Sequence, residues 1–409
     1  MLLLGAVLGL AAAGPAANAD AAAAFRHGIG VDAMAWAAVE PGSPTTFVFP
    51  PFVGPSYRLT PDELGTLRRT GFDFIRLAVD PGPFLQFKAA RRDELDRMLL
   101  NRVHLILASG LAVLVDFHPS DMNPDYLAQA LTAGLQSPVF QSYLRMLQRT
   151  AGLLGRLHSG RVALELMNEP PVAPRVWQKM LDAAYAAARS GSPDLLLLLE
   201  GGDEASAPAL MQMRTAPFAA DPLVLYSFHY YEPYQFTHQG ASWNPARYLA
   251  DVPYPADAHS LDDSLTATAA SIAATDLSEP RKSLAFQDAQ ARLEDYQASG
   301  FDAGTVVKNF AQLARWAQSR GIPADRVMLG EFGARRTALQ LSGERARERA
   351  QWFHDVRRAA QAMGFPWAVW AYRGGGGFAL AQSGSGDGIE PDIAAALGLN
   401  SRAARNADE

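Results

Sequence analysis

The chain has 409 residues, 49% of them hydrophobic and 19% charged, with a net charge of −6 and no cysteine. That composition supplies apolar surface for one large core, excludes a disordered or fibrous chain, and leaves no disulfide to form. The negative charge, without a Lys/Arg cluster beside stacking aromatics, argues against a nucleic-acid partner and favours a neutral ligand over a polyanion.

The first elements read as an export signal. Leu2 to Gly14 is an apolar run too short to span a bilayer, and Ala17-Asn18-Ala19 has the small-x-small form of a signal peptidase site. Residues 1–19 are therefore expected to be a signal peptide, and residues 20–409 a single domain, secreted or periplasmic, monomeric and without a stable membrane span. No Lys or Arg precedes the run; an uncleaved anchor is the alternative.

Eight apolar runs of β type follow: Gly28 to Met34, Phe72 to Val79, Ala112 to Phe117, Val162 to Met167, Leu195 to Leu199, Leu223 to Phe228, Val327 to Leu329 and Pro366 to Ala371. Helical patterns lie between them, at Thr60 to Thr70, Arg91 to Ser109, Val139 to His158, Val176 to Arg189, Ala303 to Arg320 and Ser342 to Met363. Strands apolar throughout and alternating with helices predict an α/β chain, a closed parallel (β/α)8 TIM barrel. An open doubly wound sheet would want a Gly-rich phosphate turn after its first strand, and Gly28-Ile-Gly30-Val-Asp32 lacks the third glycine.

Two loops exceed a plain connection. The segment from Glu232 to Asp302 inserts about 70 residues after the sixth strand and carries Tyr234, Phe236, Trp243, Tyr248 and Tyr254. The loop after the first strand, Ala35 to Leu59, brings Trp36, Phe52 and Tyr57 toward the same rim. Such rings stack on sugar C–H faces or form a small core of their own, and the sequence of the insertion leaves both readings open.

The chemistry is carried by two strand ends. Leu166-Met-Asn168-Glu169-Pro170 and Leu329-Gly330-Glu331-Phe332-Gly333 each close an apolar run with a glutamate. A charge is not normally left there without a partner or a role. Two carboxyls facing one cleft suit glycosidic cleavage, one protonated to release the leaving oxygen and one ionised to attack or to activate water.

Other signals carry less. Asp116, His118, Asp121 and Asp125 have no metal-ligand spacing, so neither a metal nor a cofactor is expected. No Gly-x-Ser-x-Gly elbow occurs. Glu200, in Glu-Gly-Gly, reads as a hydrogen-bonding residue of the rim, Gly374 to Gly377 as a flexible loop at the site, and the charges from Arg335 to Arg358 as the solvated face of a helix.

From about Gly28 to Ala371 the chain resembles glycoside hydrolase family 5, the cellulase family of retaining (β/α)8 hydrolases. The matches come in order: Arg76 at the second strand end, Asp116-Phe-His118 at the third, Asn168-Glu169-Pro170 at the fourth, His229-Tyr-Tyr231 at the sixth, Glu331 at the seventh and Trp370 at the eighth. The resemblance implies Glu169 as acid/base, Glu331 as nucleophile braced by Arg76, Asn168 toward the sugar 2-hydroxyl, His118, His229 and Tyr231 around the central sugar, and Trp370 as its aromatic floor. Trp36 and Trp243 are expected to bind substrate by stacking.

The physical readings run alongside. Arg76 beside Glu331 would hold it ionised, and an apolar wall such as Trp370 or Met167 would keep Glu169 protonated. His118 and His229 taken alone are ordinary core histidines; at strand ends on the catalytic face they become site residues. Strand alternation favours Tyr231 over Tyr230. The implied activity is endo-β-1,4-glucanase on a β-linked polysaccharide or oligosaccharide. Mannan, β-1,3-glucan or a bacterial exopolysaccharide is the alternative within the class, and a glycan-binding protein without catalysis is the alternative outside it.

Overall fold

The computed structural model describes residues 23–337, 343–374, 376–381 and 388–400. The expected signal peptide, Ser342 at the start of the last predicted helix, and Gly375 of the glycine loop lie outside them.

The eight apolar runs form eight strands: β1 His27–Met34, β2 Phe74–Val79, β3 Ala112–Phe117, β4 Val162–Glu165, β5 Leu196–Glu200, β6 Val224–Tyr230, β7 Val327–Phe332 and β8 Trp367–Val369. Every neighbouring pair is parallel, and β8 closes on β1 with His27 opposite Trp367, making a (β/α)8 barrel. The fourth strand stops at Glu165, so Asn168 and Glu169 lie on the turn beyond it, whereas β7 runs through Glu331 to Phe332.

Local chemistry sets the helix ends. Thr60 caps Pro61–Thr70 in a capping box with Glu63, and Gly71 ends that helix in the left-handed conformation at φ 115°. Ala89–Ala108, Pro138–Gly155, Pro174–Gly191, Ala303–Ser319 and Gly343–Met363 supply further outer helices. The repeat is uneven after β5, where only the short turns Gly202–Ala205, Ala207–Met211 and Ala216–Phe218 intervene before β6. No helix among the described residues is long and apolar enough to cross a membrane.

Alternation sorts each strand between the helices and the barrel interior. On β6, Tyr226, Phe228 and Tyr230 face the helix Ala303–Ser319, with ring contacts of 6.1 Å to Trp316 and 5.4 and 5.0 Å to Phe310. The alternate residues enter the barrel, where Phe74, Leu114, Ala163, Leu198, Leu225 and Met328 pack as one buried cluster around Phe25. Two residues further along the same strands the interior becomes polar: Arg76, Asp116, Glu165, Glu200 and Ser227 are all buried. The C-terminal half of the barrel is thus lined with charge resting on an apolar plug.

The long insertion divides its aromatics. Helices Leu261–Ala273 and Glu279–Ser299 pack together, and Phe236, Tyr254 and Tyr296 are buried with them. Tyr254 and Tyr296 donate to Asp355 Oδ2 (3.0 Å) and Pro253 O (2.7 Å). Trp243 and Tyr234 remain 58% and 41% exposed, so the insertion forms a small core and presents rings to solvent as well.

Two expectations are corrected. Phe52 is not a rim residue: it is buried against Tyr57 and Phe84, because the loop, after an antiparallel ribbon of Val39–Glu40 with Ser43–Phe47, packs this ring on the helix Pro81–Gln86. The charges from Arg335 to Arg358 are not simply a solvated face. Arg349 is buried and pairs with Glu390 at 3.0 Å, and Arg345 pairs with Asp251 of the insertion, because both the C-terminal helix Pro391–Ala396 and inserted chain pack against this helix.

Leu114 has no exposed surface at the centre of the apolar plug. Leu114→Ala is expected to lower the unfolding free energy by about 2–5 kcal/mol, measured by urea denaturation, through lost transfer energy and the cavity left behind. A change under about 1 kcal/mol would mean that the plug does not hold the barrel.

Candidate active site

Arg76 organises the charged layer. It reaches up from β2 with no exposed surface, and its guanidinium donates from Nε and Nη2 to the two oxygens of Glu165 (2.9 and 2.7 Å). Nη2 also donates to Asn168 Oδ1 (2.7 Å) and lies 3.1 Å from Asp116 Oδ2, while Nη1 donates to Glu331 Oε2 (2.5 Å). A planar fork with several donors can span four acceptors on three strands and a turn, as lysine could not.

A break in register delivers Glu331. Phe228 of β6 pairs with Leu329 of β7, but His229 pairs with Glu331, so β7 carries an extra residue at Gly330. Only glycine fits, because a Cβ there would lie 2.2 Å from Ser227 Oγ. The shift sets Glu331 beside His229, and Tyr231 donates to Glu331 Oε1 (2.5 Å). Both oxygens of Glu331 are therefore held. Tyr230 points outward and accepts from Asn309 instead (3.1 Å).

Glu169 sits across the cleft with a left-handed backbone, φ 45°, and keeps 34% of its side-chain surface open. His229 Nδ1 lies 2.8 Å from Glu169 Oε1. Glu169, His229 and Glu331 each offer one polar atom within 4.8 Å of the others. A cation could bridge such a trio, but both ring nitrogens of His229 are already engaged by carboxylates, Nε2 lying 2.8 Å from Glu200 Oε1.

The floor is aromatic. The Trp370 ring stacks on His118 at 5.3 Å and 6°, lies 5.9 Å from the Arg76 guanidinium, and is 6.3 Å from Trp36. His118 Nδ1 is held by Asp116 Oδ2 (2.9 Å). Gly30 lets this floor approach β1, since a Cβ there would meet Trp370 at 2.3 Å. Arg76, His118, Asn168, Glu169, His229, Tyr231, Glu331 and Trp370 thus converge on one cleft, with Trp36 at its edge. Trp243 stands further out, its ring 6.4 Å from Phe378, which in turn contacts Tyr231 at 5.7 Å.

Charge in this layer follows from burial. Asp116, Glu165, Glu169, Glu200 and Glu331 face the bases Arg76, His118 and His229. Five acids against three bases leave two carboxyls that are best neutral in a low dielectric. Burial raises Glu165 well above the usual carboxylate value, with Asp116 and Glu200 reinforcing it against Arg76. Burial raises Glu169 as well, helped by Glu331 and Glu200 and opposed by His229. At Glu331 burial is outweighed by His229, Arg76, His118 and the Tyr231 hydrogen bond, so its pKa falls. Glu200 falls to about 2, because the pull of His229 and Arg76 exceeds its burial. His229 is raised well above its ordinary value: burial opposes its charge, but Glu200, Glu331 and Glu169 more than offset that.

The sequence reading placed Glu200 on the rim; it is in fact buried beneath Glu169, because β5 turns its alternate residues inward up to its last position. Neither did that reading single out Glu165 as a partner of Arg76. Both could have been found by counting inward in steps of two from Leu198 and Ala163. The wall assigned to Glu169 also differs, since its carboxyl is raised by burial and by neighbouring carboxylates, while Trp370 packs on His118 and Arg76.

A closed parallel barrel with two opposed glutamates at the C-terminal ends of its fourth and seventh strands defines the class of (β/α)8 glycoside hydrolases. The model of the cellulase family matches residues 40–376, and the chain belongs to glycosyl hydrolase family 5. It is 23% identical over 371 residues to Endoglucanase 3 of Fibrobacter succinogenes, covering 85% of this chain and 50% of that protein. With Cellodextrinase A of Ruminococcus flavefaciens it shares 25% identity over 177 residues, 43% of this chain and 52% of the relative. The chain spans about half the length of these curated relatives. A hyperthermophilic endo-β-1,4-glucanase solved in complex with substrate has the same fold, with a TM-score of 0.65 at 20% identity, covering 93% of this chain and 99% of that one.

Replacing Arg76 by Met keeps its bulk but leaves carboxylates buried without their partner. The unfolding free energy near neutral pH is expected to fall by about 3–5 kcal/mol. Carboxyls freed from Arg76 have raised folded pKa values, so the variant's loss should grow with rising pH and shrink on acidification. Urea melts at two pH values would show it, and an equal loss at both would contradict the network.

Proposed function

We propose that this chain is an exported, monomeric, retaining β-glycoside hydrolase that cleaves a β-1,4-linked glucan internally, with Glu331 as nucleophile and Glu169 as acid/base. The observation that carries the reading is the spacing of the two carboxyls, whose oxygens approach within 4.8 Å. Retaining enzymes place the pair about 5–5.5 Å apart, and inverting ones leave about 6.5–9.5 Å for a water.

The two environments suit the two tasks. Glu331, held by Arg76 and Tyr231 with a lowered pKa, is an anion ready to attack the anomeric carbon. Glu169, with a raised pKa, accepts from His229 at Oε1 and so keeps its proton on the other oxygen for the leaving group. After the leaving group departs, Glu169 is a base and takes the proton of the incoming water, which releases the sugar from Glu331. Asn168, whose Oδ1 is occupied by Arg76, has its NH2 left for a sugar hydroxyl. Trp370 and Trp36 offer ring surface to the sugar plane.

The names of the relatives, endoglucanase and cellodextrinase, support a β-1,4-glucan. Export rests on the Ala17-Asn18-Ala19 sequence. The presence of both carboxyls favours catalysis over a binding protein.

Proton NMR of the first product should show the β-anomer before mutarotation; an initial α-anomer would make the enzyme inverting and remove Glu331 as nucleophile. Glu169→Ala should lose most activity on polymer, retain more on an aryl glycoside with a good leaving group, and recover with azide as a β-glycosyl azide. Equal loss on both substrates without azide rescue would contradict its role.

Trp243 borders a groove of about 660 Å³ with Tyr248, Leu284 and Arg281, and is proposed to bind distant units of a long chain. Trp243→Ala should lower kcat/KM on long glucans by an amount equal to about 1–3 kcal/mol, and leave a short aryl glycoside almost unaffected. A parallel fall on both substrates with a lower Tm would make Trp243 structural.

A further inference from the structure

Glu200 is a buried anion with no place in the chemistry above. Its Oε2 accepts from the backbone N–H of Glu169 (2.8 Å). Its Oε1 lies 2.8 Å from His229 Nε2, an ion-pair contact more than an aligned hydrogen bond, and accepts from Ser227 Oγ at 3.3 Å. Its backbone carbonyl accepts from Trp177 Nε1 (2.8 Å), which anchors the end of β5 to the helix Pro174–Gly191. Glu200 therefore ties the scaffold, through Ser227 and Trp177, to the site, through Glu169 itself and the histidine beside it.

The backbone contact matters because Glu169 has φ 45°, a conformation that a non-glycine residue keeps only where its surroundings hold it. The ring contact matters because His229 stands between the two catalytic candidates, 2.8 Å from Glu169 and paired in register with Glu331. We propose that Glu200 is the positioning residue of this site: one oxygen fixes the backbone of Glu169, the other holds His229 as an imidazolium, and His229 in turn keeps Glu331 ionised. The inference rests on the roles proposed above for Glu169 and Glu331.

The sign of the pH effect follows from the groups around His229. Glu200 comes from β5, Glu169 from the turn after β4, and Glu331 from β7. Glu200 itself also faces Arg76 and Glu165, and Tyr143 lies near its charge. With the charge of Glu200 removed, His229 loses an anionic partner and gives up its proton at lower pH. Glu331 then loses a neighbouring cation and its pKa rises, while Arg76, His118 and Tyr231 still hold it down in part. Glu169 experiences two changes of opposite sign, the loss of an anion and the loss of a cation, so it moves less.

Glu200→Gln keeps an acceptor for the Glu169 N–H, removes the charge, and turns an amide NH2 toward His229 Nε2 in place of the carboxylate oxygen. The acid limb of kcat/KM, which reports ionisation of the nucleophile, should move up by about one pH unit with the alkaline limb shifted less. Glu200→Ala removes the backbone acceptor as well, and should lose further kcat on polymer while sparing an aryl glycoside that needs no proton. An acid limb left at its wild-type position, in a Gln variant with wild-type Tm, would overturn the proposal. Should the variants fail to fold, ¹⁵N NMR of histidine in the wild-type protein, with His229→Asn for assignment, decides the matter: both His229 nitrogens should be protonated at pH 7, and a neutral ring overturns it. Activity on polymer surviving in Glu169→Ala, or activity on either substrate surviving in Glu331→Ala, would instead remove the underlying reading, which separates the two failures.

Discussion

Arg76 reaches Glu165, Asn168, Asp116 and Glu331 from a position with no exposed surface, and the placement of the other polar groups follows from that buried cation. A guanidinium cannot discard its proton, so its burial requires carboxylates around it. The barrel supplies them on alternate inward positions of β3 and β4 and on β7, while the turn after β4 adds the amide oxygen of Asn168; burial, reinforced by neighbouring carboxylates, then raises the least compensated ones. The same arrangement lowers the pKa of Glu331 and raises those of Glu165 and Glu169. Opposite pKa shifts a few ångströms apart are thus a consequence of how charge is shared in one buried layer.

Such a layer works against stability. Burying this many charges instead of leucines is neutral at best for the folded state. The apolar plug below it and the aromatic contacts outside, such as Phe228 with Phe310 and Phe332 with Trp352, hold the strands while the upper interior stays polar. The left-handed backbone of Glu169 and the extra residue at Gly330 are further local departures from regular structure, and both lie at the cleft.

Much of the barrel was legible because parallel strands are buried on both faces and so read as continuous apolar runs. Leu195 to Leu199 and Val162 to Met167 could be recognised without knowing their partners. Glu169 and Glu331 were legible because a carboxylate closing a buried apolar run is costly unless it is paired or put to use. Glu200 closes a run too, yet its partners, His229 and the Glu169 N–H, come from other strands, and pairing across strands is not written in any one segment. The bulge at Gly330 was hidden for the same reason, since register is a relation between β6 and β7. In the insertion, Phe236 and Trp243 looked alike; helices Leu261–Ala273 and Glu279–Ser299, which the sequence reading did not place, bury one and leave the other exposed.

The central claim is that Glu331, held as an anion by Arg76 and Tyr231, forms a covalent bond to the sugar. A 2-fluoro cellobioside with a reactive leaving group, which slows breakdown of a glycosyl-enzyme, tests it directly by mass spectrometry of the intact protein and its peptides. The account predicts one added fluoroglycosyl group per chain, carried by the peptide that contains Glu331 and absent from Glu331→Gln. A label on Glu169 or elsewhere, or turnover of the reagent with no adduct and an inverted product, would contradict it.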